Sequence, residues 1–128
     1  MIALISKYKF LISVFLLLIF YSVGIWGIAY GANPSQFILL TPLNLLITLV
    51  IVLSNHSTWN SSHVTAFIGV AFVGFTVEMI GVNTGVLFGD YTYGAVLGPG
   101  WQGVPFIIGI QWMVVVYCAG TCMAMLHQ

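Results

Sequence analysis

Charged residues are scarce in this sequence, and their scarcity excludes most classes of soluble protein. Only two Lys or Arg and two Asp or Glu occur among 128 residues, which is 3%, whereas a soluble domain carries about 25%. A soluble fold needs charge to cover its surface. Hydrophobic residues make up 61% instead, and the mean hydropathy is +1.14. The sequence therefore predicts an all-α integral membrane protein whose main partner is the lipid bilayer.

The sequence also lacks a basic surface and a cluster of metal ligands. Its formal net charge is zero, so no field attracts nucleic acid and nucleic-acid binding is excluded. His56 and His63 lie in the polar connector 55–63, where no cysteine or carboxylate completes a metal site. Cys118 and Cys122 lie one helical turn apart in an apolar run and are interpreted as small packing residues. We expect no metal and no cofactor.

Long apolar runs predict about four transmembrane helices in a single membrane domain, residues 1–128. Roughly 20 residues at ~1.5 Å each cross the ~30 Å hydrocarbon core. The first run is longer than the ~7 to 15 apolar residues of a signal peptide. Lys7 and Lys9 precede it and place the N-terminus in the cytoplasm, and four crossings return the C-terminus there. The predicted spans are about 10–30, 37–54, 64–82 and 104–126.

A loop rich in glycine and aromatic residues, about 83–103, separates the third and fourth predicted spans. A loop of this length in a compact domain is usually functional or disordered. Large rings seek an interface or a pocket, which argues against disorder. We expect the loop to be re-entrant or to lie at the membrane interface.

The two acidic residues are Glu78, near the end of the third span, and Asp90, in the loop. Glu78 shares a helical face with Gly74 and Gly81, where a closely packed neighbouring helix can shield its carboxyl from lipid. An acid within a span is a candidate functional residue by default. A loop that folds back could bring both acids to one cavity. A purely structural interpretation also stays open, with Glu78 as a hydrogen-bonded packing residue and the aromatic residues as an interface belt.

The stretch from Glu78 to Trp112 carries a dense pattern that resembles a known family. It is similar to the carotenoid biosynthesis membrane proteins that include the carotenoid 1,2-hydratases of acyclic end groups. The stretch LTPLN, from Leu40 to Asn44, resembles the same family. Members usually continue for several more membrane helices, so we expect a fragment or a shortened member. The matching positions are Glu78, Ile80, Gly81, Val82, Gly85, Phe88, Gly89, Tyr91, Tyr93, Leu97, Gly98, Pro99, Gly103, Val104, Pro105 and Trp112.

The resemblance implies a protein of the bacterial cytoplasmic membrane that adds water to the terminal C1=C2 double bond of an acyclic carotenoid. This reaction needs a proton donor, groups that stabilise a carbocation, and a water molecule. Removal from water favours the neutral form of a carboxyl, so Glu78 is the candidate general acid and Asp90 the candidate for orienting water. The aromatic rings would stabilise the cation. The predicted substrate-binding residues are Asn83, Phe88, Tyr91, Tyr93, Trp101 and Trp112.

A second hypothesis is a non-enzymatic membrane subunit that binds carotenoid or supports a partner helix bundle. It predicts that Glu78→Gln leaves function intact. A transporter is less favoured, because no paired inverted half-repeat is evident. The pairs Gly27-x-x-x-Gly31 and Gly81-x-x-x-Gly85 favour self-association, and other membrane enzymes of the carotenoid pathway are further candidate partners.

Overall fold

The computed structural model describes the backbone of residues 2–127 and the side chains of residues 7–127. It is mostly helical, and it divides into two compact units, one up to Ser57 and one from Thr58 onward. The prediction of a single membrane domain stays a prediction. The helices are α1 (Ile2–Tyr30), α2 (Pro34–Leu39), α3 (Thr41–Ser54), α4 (Ser61–Thr84) and α5 (Phe106–Leu126), with a 3-10 turn at Ala95–Leu97 and the strands β1 (Gly100–Trp101) and β2 (Val104–Pro105).

The first unit consists of α1 with α2 and α3 packed against it. Polar contacts at two levels join α1 to α3. Asn55 Nδ2 donates to Ser13 Oγ over 2.8 Å, and the hydroxyls of Tyr21 and Thr48 lie 3.2 Å apart. Because Ser13 precedes Tyr21 while Asn55 follows Thr48, the two helices run antiparallel.

Three helices within the described residues are long and apolar enough to cross a membrane: α1 from Lys7 to Tyr30, α4 and α5. They correspond to the predicted spans 10–30, 64–82 and 104–126. The predicted span 37–54 is interrupted at Leu40, and α3, which has 14 residues, reaches only about 21 Å. Pro42 explains the break, since it lacks the N–H that would bond to the preceding turn. The fourth crossing therefore stays a prediction.

The second unit packs α4 against α5 through residues that allow close approach. Gly109 of α5 is buried, and a Cβ added there would lie 2.8 Å from the carbonyl oxygen of Ala71 on α4. The rings of Phe75 and Phe106 stack beside this contact, with centroids 5.7 Å apart. The small residue lets the two helix backbones approach closely, and the stacked rings fill the space beside them.

The segment that joins α4 to α5 is attached to α4 at both of its ends. At the start, α4 ends in Gly85, whose left-handed backbone (φ 68°) is easily adopted by glycine. At the end, β1 and β2 form a small antiparallel hairpin whose turn residue Gln102 also has a positive φ, 51°. Asn83 Nδ2 donates to the Gln102 carbonyl oxygen over 2.9 Å and so ties the hairpin to α4. Whether this segment is re-entrant or interfacial stays a prediction.

Candidate functional site

Glu78 lies on the buried face of α4. Its side chain is only 9% exposed, and the other buried residues of this helix are Gly74 and Gly81. The three positions are spaced by four and three residues, so they form one stripe on the helix, as their spacing predicted. The stripe brings the only acidic residue of the described spans into contact with protein groups and shields it from lipid.

Trp112 of α5 fits into the notch at Gly74. A Cβ added to Gly74 would overlap the Trp112 side chain, so glycine is what allows the indole to lie there. From this position Trp112 Nε1 donates a hydrogen bond to Glu78 Oε1 over 3.0 Å. An indole N–H donates only, which means that Oε1 is held as an acceptor.

Tyr91 and Tyr93 approach Glu78 from the joining segment. The Tyr91 hydroxyl donates to Glu78 Oε2 over 2.6 Å, and the Tyr93 hydroxyl donates to the same oxygen over 3.0 Å. Their rings meet edge to face with centroids 5.6 Å apart. The two tyrosines are two residues apart in a part of the segment that has no regular secondary structure. A short stretch of the joining segment thus supplies both hydroxyl groups.

The carboxyl of Glu78 changes the acidity of both tyrosines. The pKa of Tyr91 is raised from its ordinary value, chiefly by its hydrogen bond to Glu78. The pKa of Tyr93 is raised mainly by burial and then by its hydrogen bond to Glu78. Both shifts oppose formation of a phenolate beside a carboxylate. The two hydroxyls therefore keep their protons at neutral pH and stay available as donors.

An apolar groove runs along α4 and α5 and reaches the same indole. Its volume is about 490 Å³, within the range of small-molecule sites. Trp112 lines it and also bonds to Glu78, so one residue joins the groove to the buried carboxyl. The groove opens outward, since Val73 in its lining is 60% exposed. The lining residues are Ala66, Gly69, Val70, Val73, Gly74, Val77, Trp112 and Val116.

Comparison with protein families matches residues 37–128 to the carotenoid biosynthesis protein family. The chain belongs to this family. The match begins within α2 and includes the whole second unit, hence all four residues of the hydrogen-bonded cluster of Glu78, Tyr91, Tyr93 and Trp112. A comparison with curated proteins and one with solved structures give no match. The chain is a membrane-helix protein with a role in carotenoid biosynthesis.

In this carotenoid biosynthesis protein, the predicted site residues fall into two groups. Tyr91, Tyr93 and Trp112 contact Glu78 directly. Phe88 packs beside them, with its ring 6.3 Å from that of Tyr91, and it covers Gly81.

The other predicted residues lie away from the cluster. Asp90 is exposed and its carboxylate packs against Gly85, which is two helical turns, about 10 Å, along α4 from Glu78. Asn83 holds the hairpin, and Trp101 on β1 is 60% exposed. The structure therefore gives Asn83 a positioning contact and leaves Asp90 at the surface of the segment.

Sequence reasoning missed that the tyrosines bond to the acid. It assigned Tyr91 and Tyr93 to a carotenoid cation, which stays a prediction, and it did not foresee that both hydroxyls donate to Glu78 Oε2. The available signal was their spacing of two residues after Gly89. That spacing predicts two side chains on one side of an extended strand, facing a common target.

Proposed function

We propose that this carotenoid biosynthesis protein adds water to the terminal C1=C2 double bond of an acyclic carotenoid, with Glu78 as the general acid. The observation that carries the proposal is a buried carboxyl linked through Trp112 to an apolar groove and bonded to two tyrosine hydroxyls. The groove suits a hydrocarbon chain that enters from lipid. The carboxyl supplies the single polar group that the reaction needs at the end of that chain.

The reaction has two proton transfers, one from Glu78 and one back to it, so Glu78 is regenerated. Glu78 gives its proton to C2, the double bond becomes a single bond, and a tertiary cation forms at C1. Water attacks C1, and its surplus proton returns to Glu78, so the net change is the addition of one water molecule. Aromatic faces near the groove, Trp112 foremost, stabilise the cation by about 2 kcal/mol or more when desolvated.

The hydrogen bonds restrict where the acidic proton of Glu78 can lie. Oε1 faces the Trp112 indole, which cannot accept a proton. Oε2 faces two tyrosine hydroxyls, each of which can turn from donor to acceptor. The protonated acid therefore carries its proton on Oε2, and Tyr91, at 2.6 Å, is the closer relay for the returning proton. The assignment of Asp90 to the water stays a separate proposal.

A non-enzymatic carotenoid-binding subunit is the second candidate, and one observation favours it. Three donors converge on Glu78, and donors of this kind stabilise an ionised carboxylate. In that role Glu78 fastens the joining segment and α5 to α4 and transfers no proton. The groove would then hold a carotenoid that leaves unchanged.

Glu78→Gln separates the two candidates. The amide oxygen of glutamine can still accept from Trp112, and its NH₂ group can donate to the tyrosine hydroxyls, so the cluster is retained while the acid is lost. The native chain and the Glu78→Gln variant would each be expressed in cells that make lycopene. The pigments would be analysed by chromatography and mass spectrometry. We expect a pigment heavier by one water with the native chain and none with Glu78→Gln, with equal amounts of inserted protein.

Two results would contradict the hydratase proposal. One is a hydrated pigment in equal amount from Glu78→Gln. The other is an inserted native chain that yields no new pigment but retains carotenoid on purification, which would favour the non-enzymatic subunit.

A further inference from the structure

A second apolar groove lies within the first unit, between α1, α2 and α3. Its volume is about 380 Å³, and in the described part of the chain no charged residue lines it. Residues from all three helices contribute, among them Phe20, Tyr21, Gly24, Phe37 and Asn44. The groove therefore fits a long uncharged molecule and excludes a lipid headgroup that needs a counter-ion.

Hydrogen-bond donors and acceptors in this groove do not balance. Thr48 Oγ1 donates its single proton to the Asn44 carbonyl oxygen over 2.9 Å. Its 3.2 Å contact with Tyr21 is therefore a bond in which Tyr21 donates. Asn44 Oδ1 is buried and has no hydrogen-bond partner among the described residues. Asn44 itself lines the groove, so a bound molecule with a hydroxyl or N–H could donate to Oδ1 once this side chain turns toward the groove.

We propose that this groove binds the hydroxylated end of a carotenoid, and that the Asn44 side chain turns toward the groove so that Oδ1 accepts the hydroxyl proton. A buried acceptor without a partner is destabilising, and a ligand hydroxyl would remove that penalty. A carotenoid hydrocarbon fills the same apolar space but leaves the acceptor unpaired. Asn44 lies within the part of the chain that matches the carotenoid biosynthesis family, which favours a carotenoid alcohol over other alcohols.

This binding site is independent of the reaction proposed at Glu78. A tertiary alcohol is the product of that hydration, so the groove would retain product over substrate if both proposals hold. Binding itself needs no turnover. A failure of the hydratase proposal therefore leaves the groove untouched, and the two can be tested separately.

The test measures equilibrium binding of lycopene and of 1-hydroxy-1,2-dihydrolycopene to the chain in lipid nanodiscs. The readout is the shift of the polyene absorption band. All measurements use a chain with Gly69→Leu, so that pigment does not bind in the groove of α4 and α5. Gly69 lines the groove of α4 and α5, and a Cβ there meets open space, so leucine is chosen to occupy that groove. We expect the alcohol to bind about three- to tenfold more tightly than the hydrocarbon, as one hydrogen bond provides.

Two variants complete the test. Asn44→Leu should reduce the preference for the alcohol over the hydrocarbon to about onefold. Without pigment, this variant should be at least as heat-stable as the chain that retains Asn44, because the substitution removes the unpaired acceptor. Gly24→Leu projects into open space in this groove and should weaken both pigments by about tenfold or more. An alcohol preference that persists in Asn44→Leu would overturn the proposal. Displacement of the pigment by an equal concentration of dioleoylglycerol would overturn its assignment to a carotenoid.

Discussion

At the scale of single residues, the two tyrosines on Glu78 Oε2 differ in a way that should affect the proposed hydration. Tyr91 is the closer donor, at 2.6 Å against 3.0 Å for Tyr93. We expect Tyr91→Phe to lower the yield of hydrated pigment by about 10²-fold, because a positioned proton relay contributes roughly 10²–10⁴-fold. Tyr93→Phe should lower it less.

The yield would be measured as pigment heavier by one water per unit of inserted protein. Tyr30→Phe is the matched control, since Tyr30 is 78% exposed on α1 and should change nothing. Equal losses in Tyr91→Phe and Tyr30→Phe would remove the relay from the mechanism.

The same hydrogen bonds predict a response to alkaline pH. The folded protein holds the protons of Tyr91 and Tyr93 more tightly than the unfolded chain, where tyrosine has its ordinary pKa of 10.0. The stability that they contribute is complete below about pH 10 and is lost as the pH rises through the raised pKa values. Absorbance at about 295 nm, where phenolate absorbs, should show a late phase of titration from these two tyrosines.

The double variant Tyr91→Phe, Tyr93→Phe supplies the control for that titration. It should lose the late phase and keep the rest of the curve. A late phase that survives in the double variant would mean that other tyrosines cause it.

At the scale of elements, two of the glycines in α4 differ in what faces them. Gly74 lies against Trp112, whereas a Cβ at Gly69 meets open space. Gly74→Ala should destabilise the second unit by about 1–3 kcal/mol through overpacking. Gly69→Ala should be neutral or stabilise by up to about 1 kcal/mol, because alanine is the better helix former.

Thermal unfolding in a mild detergent measures both variants, and tryptophan fluorescence reports whether Trp112 is displaced. Equal stability of the two variants would show that the Trp112 contact at Gly74 is loose. The pair separates helix propensity from packing, because both substitutions are the same and lie in one helix.

The sequence was sufficient for features that follow a regular period, and insufficient for those set by the joining segment. Helix bounds for α4 and α5 and the stripe of Gly74 and Glu78 follow from apolar runs and a 3.6-residue period. The break at Leu40 was readable from Pro42, which ends or kinks a helical pattern. The tie between Asn83 and the Gln102 carbonyl joins residues 19 positions apart, and no local pattern encodes a contact of that kind.

At the scale of the whole molecule, the number of membrane crossings decides the orientation of the chain. The stretch from Pro34 to Ser54, although broken at Leu40, contains roughly 20 residues and could reach about 30 Å if it stays nearly straight. We expect it to cross, so Ala32 and Thr58, which precede and follow this stretch, should lie on opposite sides of the membrane. Single cysteines placed there in a chain without Cys118 and Cys122 would be labelled by an impermeant thiol reagent.

Labelling of Ala32 and Thr58 from opposite sides would agree with four crossings. Labelling of both from one side would leave α1, α4 and α5 as the only crossings among the described residues. Ala32 is exposed between α1 and α2. A cysteine in place of His127 is the control, because α4 and α5 separate it from Thr58 and return it to the same side in either case.

Self-association remains a prediction, and the glycine pairs that suggested it are used within the chain. Gly27 is covered by the ring of Phe37, and Gly81 by Phe88 and Tyr91. A partner helix could reach neither glycine without displacing these rings. Any association between copies would have to use other parts of the exposed apolar surface.

In the proposed hydration, the one-sided hydrogen bonding of Glu78 would have a stereochemical consequence. Trp112 donates to Oε1, so the proton that Glu78 transfers would leave from Oε2 alone. A double bond that meets this single oxygen would receive the proton on one face. In D₂O the deuterium would therefore arrive on a single face of C2, and the new CHD carbon would be formed with one configuration.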